Sequence, residues 1–241
     1  MSKIYEALKK AEQDRERLRG QVRAGPVSPA VAEAQRDVTE EDYQKLRASV
    51  VSIALPSGLH TILVAASRHG EGATTVAIGL ANALGKERDS RVLLLEGNLR
   101  TPIFDAVLPL AMENGLADFM AGRAAPEALV TRLDGWSFSV ITAGSASSTA
   151  MDFELLQSLL ERLRPQFDFI IIDGPPINQY ADSSILATKV DGVILVVEAD
   201  RTPVTDAETA KRQLDKVGSR ILGVVLNRRR SYIPAFLDRF L

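Results

Sequence analysis

Residues 61–75 read T-I-L-V-A-A-S-R-H-G-E-G-A-T-T, and this stretch decides the fold of the chain. Its apolar run at 62–66 is typical of a buried strand, and the polar loop that follows contains Gly70 and Gly72. Beyond the loop, apolar residues recur at helical spacing, at Val76, Leu80, Ala83 and Leu84. A strand, a glycine loop and a helix in this order bring backbone N–H groups and a helix N-terminus together around an anion such as phosphate.

The loop keeps only half of the phosphate-loop pattern G-x-x-x-x-G-K-[ST]. Ser67 stands where the pattern has its first glycine, and Ala73 stands where it has its lysine. Only Gly72 and Thr74 match the pattern. We therefore expect a loop with the shape of a phosphate site but without its central positive charge.

Composition limits the class of protein. A chain of 241 residues, 46% apolar and 25% charged, is long enough for one domain with a full core plus appendages. Its net charge of −2 gives no overall attraction to nucleic acid. The absence of cysteine excludes disulfides, and two histidines cannot form a histidine-rich metal site. No run approaches the ~18 apolar residues of a membrane-spanning helix, and no signal-peptide core is visible, so we expect a cytoplasmic protein.

Four regions are predicted along the chain. Residues 1–20 are expected to form a helix, 21–38 a linker, 39–230 the main domain and 231–241 an amphipathic tail. Three roles stay open for the first helix, which could be solvated, dock to a partner or lie on a membrane surface. The tail could pack on the protein's own sheet, dock to a partner, or bind a membrane surface with Arg228, Arg229 and Arg230 facing anionic lipid.

The main domain is predicted to be a doubly wound, mostly parallel α/β sheet with helices on both faces. After a helix capped by Thr39, five or six strands that are apolar on both faces alternate with amphipathic helices. The strands are expected at 62–66, 91–96, 136–144, 167–173, 191–199 and 219–230, with short helices at 115–122 and 125–130. Ligands of such sheets bind at the carboxyl ends of the strands, where we expect residues 67–75, 96–98 and Asp173 to converge.

Asp173 ends the run I-I-I-D and precedes G-P-P. A carboxylate at this place in a phosphate site holds Mg²⁺ or its water, and Thr74 is the candidate hydroxyl for the same ion. Two simpler roles stay open, in which Asp173 caps the next turn and Thr74 only begins a helix.

Glu96 and Asn98 lie at the end of the second strand, in L-L-L-E-G-N-L-R. A pair of aspartates there could act as a base and as a second metal contact. Glutamate is one methylene longer, and asparagine cannot take a proton, so base chemistry is doubtful. Either the site has lost its carboxylate pair, or it works in an altered form.

Four motifs together resemble the bacterial tyrosine kinases (BY-kinases): I-I-I-D-G-P-P, G-E-G-x-T-T, L-L-L-E-G-N-L-R-x-P and G-V-V-L-N-R. The BY-kinases are ParA/MinD-like P-loop proteins that serve as cytoplasmic domains or partners of capsule and exopolysaccharide co-polymerases. The resemblance runs from about residue 41 to 230. The opening M-S-K-I-Y-E-A-L-K-K-A-E also looks like the N-terminus of free-standing members in exopolysaccharide gene clusters.

This resemblance implies a set of site residues. The nucleotide site would comprise Gly70, Glu71, Gly72, Ala73, Thr74, Thr75, Glu96, Asn98, Asp173 and Asn227, the last at the position of an adenine-reading asparagine. Any Mg²⁺ would be held by Thr74 and Asp173. The family's oligomerisation motif E-x-x-R-x-x-R is present as Glu41, Gln44 and Arg47, with its middle arginine replaced.

The departures from the family pattern predict a degenerate member. Ala73 replaces the lysine, Glu96 and Asn98 replace two aspartates, and of the C-terminal tyrosine cluster only Tyr232 remains. We expect weak binding of ATP or ADP and Mg²⁺, or none. We expect a monomeric or dimeric pseudokinase that binds a membrane polysaccharide co-polymerase or a kinase paralogue, which would hold it at the inner face of the cell membrane. The alternatives are an active tyrosine autokinase or ATPase, a ParA/MinD-like positioning protein, and a Rossmann-type dinucleotide binder.

Overall fold

The computed structural model describes residues 40–110, 114–144 and 150–229. The predicted helix at 1–20, the linker at 21–38, the cap at Thr39 and the tail at 231–241 lie outside the described residues. No helix in the described part of the chain is both long enough and apolar enough to cross a membrane.

Helices and strands alternate along the described chain except between the second strand and the fifth helix, where two short helices and a 3₁₀ turn precede two successive strands. The helices are α1 (Glu40–Ser57), α2 (Ala73–Gly85), α3 (Phe104–Val107), α4 (Leu116–Met120), α5 (Phe153–Leu163), α6 (Ala181–Ala187) and α7 (Val204–Lys216). The strands are β1 (Thr61–Ala66), β2 (Val92–Glu96), β3 (Thr131–Arg132), β4 (Ser139–Ile141), β5 (Phe169–Asp173), β6 (Gly192–Glu198) and β7 (Ile221–Asn227). A 3₁₀ turn, Pro126–Ala128, precedes β3.

The strands form one seven-stranded sheet in the order β3-β4-β2-β5-β1-β6-β7. Every neighbouring pair is parallel except β3 and β4, which are antiparallel. This confirms the doubly wound, mostly parallel α/β fold, and the six parallel strands are the predicted ones.

Two sequence predictions were wrong in detail. The helix expected at 125–130 is only a 3₁₀ turn that leads into β3. The strand expected at 136–144 shrinks to Ser139–Ile141, because β4 pairs with β2 over only three residues. The exposed two-residue strand β3 carries no apolar alternation that a sequence reading could detect.

Each inner strand is buried on both faces. Ile62 and Val64 pack on one side of the sheet with residues of α1 and α2. Leu63 and Ala65 pack on the other side with residues of α5, α6 and α7. Helices that cover both faces explain why these strands are apolar at successive positions.

Helix α1 contacts α2 and the two residues that follow it through a half-buried aromatic side chain and two ion pairs. The hydroxyl of Tyr43 donates to the carbonyl of Thr75 over 3.1 Å, in the first turn of α2. Its ring lies against Gly79, where an added Cβ would be 2.1 Å from two ring carbons. Ion pairs join Lys86 to Glu40 at 2.6 Å and Arg47 to Glu87 at 2.7 Å. The start of α2 is therefore packed directly on α1.

Candidate functional site

The candidate site lies at the carboxyl edge of the three central strands. Asp173 is in register with Val64 of β1 on one side and with Glu96 of β2 on the other. The backbone continues this pairing, since Gly97 donates its N–H to the carbonyl of Asp173 at 2.8 Å. The ends of β1, β2 and β5 thus come together at one edge, where the predicted polar groups begin.

The glycine loop, residues 67–72, joins β1 to α2. Gly70 and Gly72 adopt left-handed backbone conformations with φ of 87° and 92°, which residues with a Cβ rarely tolerate. An added Cβ on Gly72 would also lie 2.3 Å from Nδ2 of Asn227. Gly72 is the N-cap of α2, and no side chain of the described residues caps that helix. A glycine loop ahead of an uncapped helix N-terminus suits an anion.

The side chain of Glu71 holds the glycine loop from within. Its buried carboxylate accepts hydrogen bonds from the hydroxyl of Ser67 at 2.9 and 2.8 Å and from the N–H of Arg68 at 2.9 Å. The hydroxyl of Thr202, beyond the end of β6, donates to the same carboxylate at 2.5 Å. Ser67, which replaces the first glycine of the pattern, therefore anchors this carboxylate. Glu71 shapes the loop with its side chain, whereas its backbone remains part of the loop.

Thr74 and Asp173, the predicted Mg²⁺ ligands, are hydrogen-bonded to each other. The hydroxyl of Thr74 donates to Oδ2 of Asp173 at 2.7 Å. The other carboxylate oxygen, Oδ1, is buried and has no hydrogen-bond partner in the described part of the chain. Burial raises the pKa of Asp173 to about 8, opposed by the Thr74 hydroxyl and reinforced by the charge of Glu96. A carboxylate oxygen left unpaired beside a hydroxyl fits a hard cation such as Mg²⁺.

Ala73 places a methyl group where the phosphate-loop pattern has an ammonium group. It is the first residue of α2, it is 9% exposed, and it belongs to the core on the α1 and α2 side of the sheet. The position therefore contributes packing and no charge to the loop.

Glu96 is committed to the backbone of two other segments. Its Oε1 accepts the N–H groups of Ile103 and Phe104, the latter at 2.8 Å, and its Oε2 accepts that of Ala143 at 2.8 Å. Burial raises its pKa to about 7, against the opposing effect of these three donors. The carboxylate joins the start of α3 to the end of β4, an arrangement that sequence reasoning missed because the three donors are backbone groups.

Asn98 is engaged in a local turn. Its Nδ2 donates to the hydroxyl of Thr101 at 2.8 Å, and its Oδ1 accepts the N–H of Thr101 at 3.3 Å. Arg100, two residues further on, pairs with Asp182 at 2.7 Å and lies over the ring of Tyr180 at 4.9 Å from its centroid. Asn98 therefore borders the site without being drawn to Asp173 by any described hydrogen bond.

The end of β7 closes the other side of the glycine loop. Asn227 donates from Nδ2 to the carbonyl of Glu71 at 2.8 Å, and its Oδ1 accepts the N–H of Arg228 at 3.0 Å. Arg228 has a left-handed backbone, with φ of 57°, and its Nη1 pairs with Glu198 at 2.8 Å. Neither Arg228 nor Thr202 was expected in the site. Arg228 directly follows β7, and Thr202 lies four residues beyond β6, so their place after parallel strands was the signal that could have identified them.

The predicted oligomerisation residues form contacts within the chain. Glu41 pairs with Lys45 at 2.8 Å. Arg47 donates from Nε to Oε1 of Gln44 at 2.9 Å, besides its ion pair with Glu87. All three predicted residues lie on α1, the helix that packs on α2.

Comparison with known proteins places this architecture in a family. The ParA family model, described as NUBPL iron-transfer P-loop NTPase, matches residues 59–236. The tyrosine-protein kinase CpsD of Streptococcus pneumoniae serotype 4 is 34% identical over 176 residues, 70% of this chain and 76% of that protein. The solved VpsO kinase domain has a TM-score of 0.70 and 29% identity, covering 81% of this chain and 98% of that one.

A more distant structure shares the same fold. The kinase domain of the Escherichia coli tyrosine kinase ETK has a TM-score of 0.75 at 21% identity, covering 91% of this chain and 89% of that one. The family match spans most of the chain, and the pneumococcal relative is more than 30% identical over more than two thirds of it. The chain therefore belongs to the ParA-like P-loop NTPases and, among them, to the family of the bacterial tyrosine kinases.

Proposed function

We propose that this protein is a pseudokinase of the BY-kinase family that regulates capsule or exopolysaccharide biosynthesis through a partner protein. One observation carries the proposal: the residue at the cation position of the phosphate loop is Ala73, whose methyl group packs into the core at the start of α2. The rest of the loop keeps its form through Gly70, Gly72 and the anchored Glu71. The loop keeps the backbone groups that would bind an anion, but it has no lysine ammonium group at position 73.

Magnitudes support a strong loss of activity. A hydrogen bond to a charged group contributes about 1.5–3 kcal/mol, so the absence of the lysine weakens phosphate binding roughly ten- to a hundredfold. The absence of a preorganised donor to the transition state costs about 10²–10³ in rate. Glu96, the candidate base, is already bonded to three backbone N–H groups. Little phosphoryl transfer is expected from such a site.

The other predicted site residues would each contact a different part of the nucleotide. The backbone of residues 70–75 would surround the phosphates, and Thr74 and Asp173 would hold Mg²⁺. When bound, this ion would neutralise charge on the phosphate oxygens. Asn227 would border the nucleotide beside the loop, while Glu96 and Asn98 shape the edge of the site. Binding of ATP or ADP is expected to be weak.

The partner is proposed to be a membrane polysaccharide co-polymerase or an active kinase paralogue. The pneumococcal relative is named a tyrosine-protein kinase, and the resemblance to BY-kinases links such domains to co-polymerases. The segments 1–20 and 231–241 are the proposed docking elements. The protein would then act at the inner face of the cell membrane while remaining cytoplasmic.

The experiment that tests this proposal is autophosphorylation of the purified full chain with Mg²⁺ and ATP, read with a phosphotyrosine antibody. We expect no signal. Phosphotyrosine that forms on the wild type and vanishes in Asp173→Ala would establish an active kinase and overturn the proposal.

One observation favours the enzymatic alternative. The contact between Thr74 and Asp173 is intact, and an autokinase or ATPase that tolerates Ala73 would need this pair for Mg²⁺. A ParA/MinD-like positioning role needs the same ATP cycle. The iron-transfer function in the description of the family model is less suitable, because the chain has no cysteine to bind iron–sulfur clusters.

A further inference from the structure

We propose that Arg228 is a phosphate-positioning residue, whose guanidinium supplies part of the positive charge that Ala73 does not bring to the glycine loop. The ligand class is a Mg²⁺-bound polyphosphate, as in a nucleoside di- or triphosphate. This inference rests on the nucleotide site proposed above, and it assigns to that site a residue outside the phosphate-loop pattern.

Arg228 lies against the glycine loop although 156 residues separate it from Gly72. Its Nη2 is 3.6 Å from the place where a Cβ on Gly72 would stand, next to Nδ2 of Asn227. Gly72 is the N-cap of α2, so the guanidinium is beside the N-terminal end of that helix, the end that favours an anion. No side chain of the described residues caps that helix end.

The guanidinium is held in place. Its Nη1 pairs with Oε2 of Glu198 at 2.8 Å, and the two side chains are 15% and 11% exposed. The N–H of Arg228 is bonded to Oδ1 of Asn227, which itself bonds the loop. An arginine presents five donors in a planar fork, and the ion pair to Glu198 fixes the orientation of that fork. A fixed, partly buried arginine is suited to two parallel hydrogen bonds to phosphate.

A second observation points independently to a charged ligand at the same helix end. Oδ1 of Asp173 is buried without a hydrogen-bond partner in the described part of the chain, beside the hydroxyl of Thr74 in the first turn of α2. A bound cation would stabilise such a buried, unpaired carboxylate oxygen. A polyphosphate with its Mg²⁺ would satisfy the oxygen and the uncapped helix together.

The amino-acid sequence left open that Arg228, Arg229 and Arg230 face anionic lipid. This role does not suit Arg228. Its side chain is only 15% exposed and turns toward Glu198 and the loop, whereas the next residue, Arg229, is exposed. Two neighbouring arginines therefore occupy different surroundings. Arg229 is the matched control for removing the same charge at nearly the same place.

The test is a binding titration of the full chain with inorganic pyrophosphate and with Mg²⁺–ADP, in the wild type and in Ala73→Lys. In both backgrounds Arg228→Ala is expected to weaken the binding of both ligands about tenfold or more. Arg229→Ala is expected to leave both affinities unchanged. Arg228→Lys, which keeps the charge but not the planar guanidinium, should lose less affinity than Arg228→Ala. It also serves as the second variant if Arg228→Ala fails to fold, as judged by its melting curve.

Several results would overturn the inference. These are equal effects of Arg228→Ala and Arg229→Ala, no effect of Arg228→Ala, a loss confined to ADP with pyrophosphate unchanged, or no pyrophosphate binding in either background. The last result leaves the pseudokinase proposal intact. Micromolar ATP binding by the wild type that Arg228→Ala removes would support the inference while contradicting the weak nucleotide binding expected above, so the two can fail separately.

Discussion

The hydroxyl of Thr74 donates a 2.7 Å hydrogen bond to Oδ2 of Asp173, across 99 residues of sequence. This contact joins the first turn of α2 to the end of β5 and leaves Oδ1 of Asp173 buried and without a partner in the described residues. A carboxylate kept in this state costs free energy unless a proton or a cation binds it. The Thr74–Asp173 contact and the alanine at position 73, where the phosphate-loop pattern has lysine, are the two features on which the proposed pseudokinase depends.

The first prediction concerns pH. Burial raises the pKa of Asp173 to about 8, above the ~3.9 of an aspartate in an unfolded chain. The folded state therefore binds a proton more tightly, so its stabilising contribution is complete below pH ~4 and is lost as the pH rises to about 8. We expect the unfolding free energy to fall between pH 5 and 8.5, measured by urea denaturation without Mg²⁺. Asp173→Asn should flatten this slope. Glu96, whose pKa is raised to about 7, adds a smaller part of the slope. A slope in Asp173→Asn identical to that of the wild type would contradict the raised pKa of Asp173.

The second prediction concerns Glu96 as a structural carboxylate. Glu96→Ala should destabilise the protein by more than ~3 kcal/mol, because each of three buried N–H groups left unpaired costs about 1–3 kcal/mol. Glu96→Gln keeps one carbonyl acceptor and should lose less. Chemical denaturation checks both variants. A change below ~0.5 kcal/mol in Glu96→Ala would show that these bonds carry little stability.

The third prediction concerns the packing of α1 on α2. Gly79→Ala should destabilise the protein by roughly 1–3 kcal/mol, despite the higher helix propensity of alanine, since the new Cβ would overlap the ring of Tyr43. In a Tyr43→Ala background the same substitution should cost much less. Gly223→Ala, at a position with nothing within 4 Å of an added Cβ, is the control and should be near neutral. Equal costs of Gly79→Ala in both backgrounds would refute the contact.

Several features of the fold and site followed from the sequence because they depend on local pattern. Doubly apolar strands, the glycines at 70 and 72, and Asp173 at a strand end each carry a signal within a few residues. The family prediction was confirmed by the match over residues 59–236. The three donors to Glu96 and the approach of Arg228 to Gly72 depend on backbone groups and tertiary placement far along the chain. The two-residue strand β3 is too short to leave any pattern.

The fourth prediction concerns assembly. Gln44 stands at the predicted position of the middle arginine in the E-x-x-R-x-x-R motif that the BY-kinase resemblance implies, and it is bonded to Arg47 on the same helix. Since loss of a charged partner at an interface typically costs about 2–5 kcal/mol, we expect a monomer or dimer of the isolated chain. Gln44→Arg should shift the population toward larger species, and Gln44→Ala should not. Light scattering measures this, and an octamer-sized wild-type species would contradict the expectation.

The central claim is that the glycine loop keeps the backbone groups that bind phosphate but lacks the positive charge of the lysine that Ala73 replaces. Calorimetric titration of ATP with Mg²⁺ tests it most directly, comparing the wild type with Ala73→Lys and with Ala73→Met, which adds a side chain of similar length without charge. We expect weak or undetectable binding by the wild type, binding about ten- to a hundredfold tighter in Ala73→Lys, and no gain in Ala73→Met. Micromolar affinity in the wild type that Ala73→Lys leaves unchanged would contradict the claim.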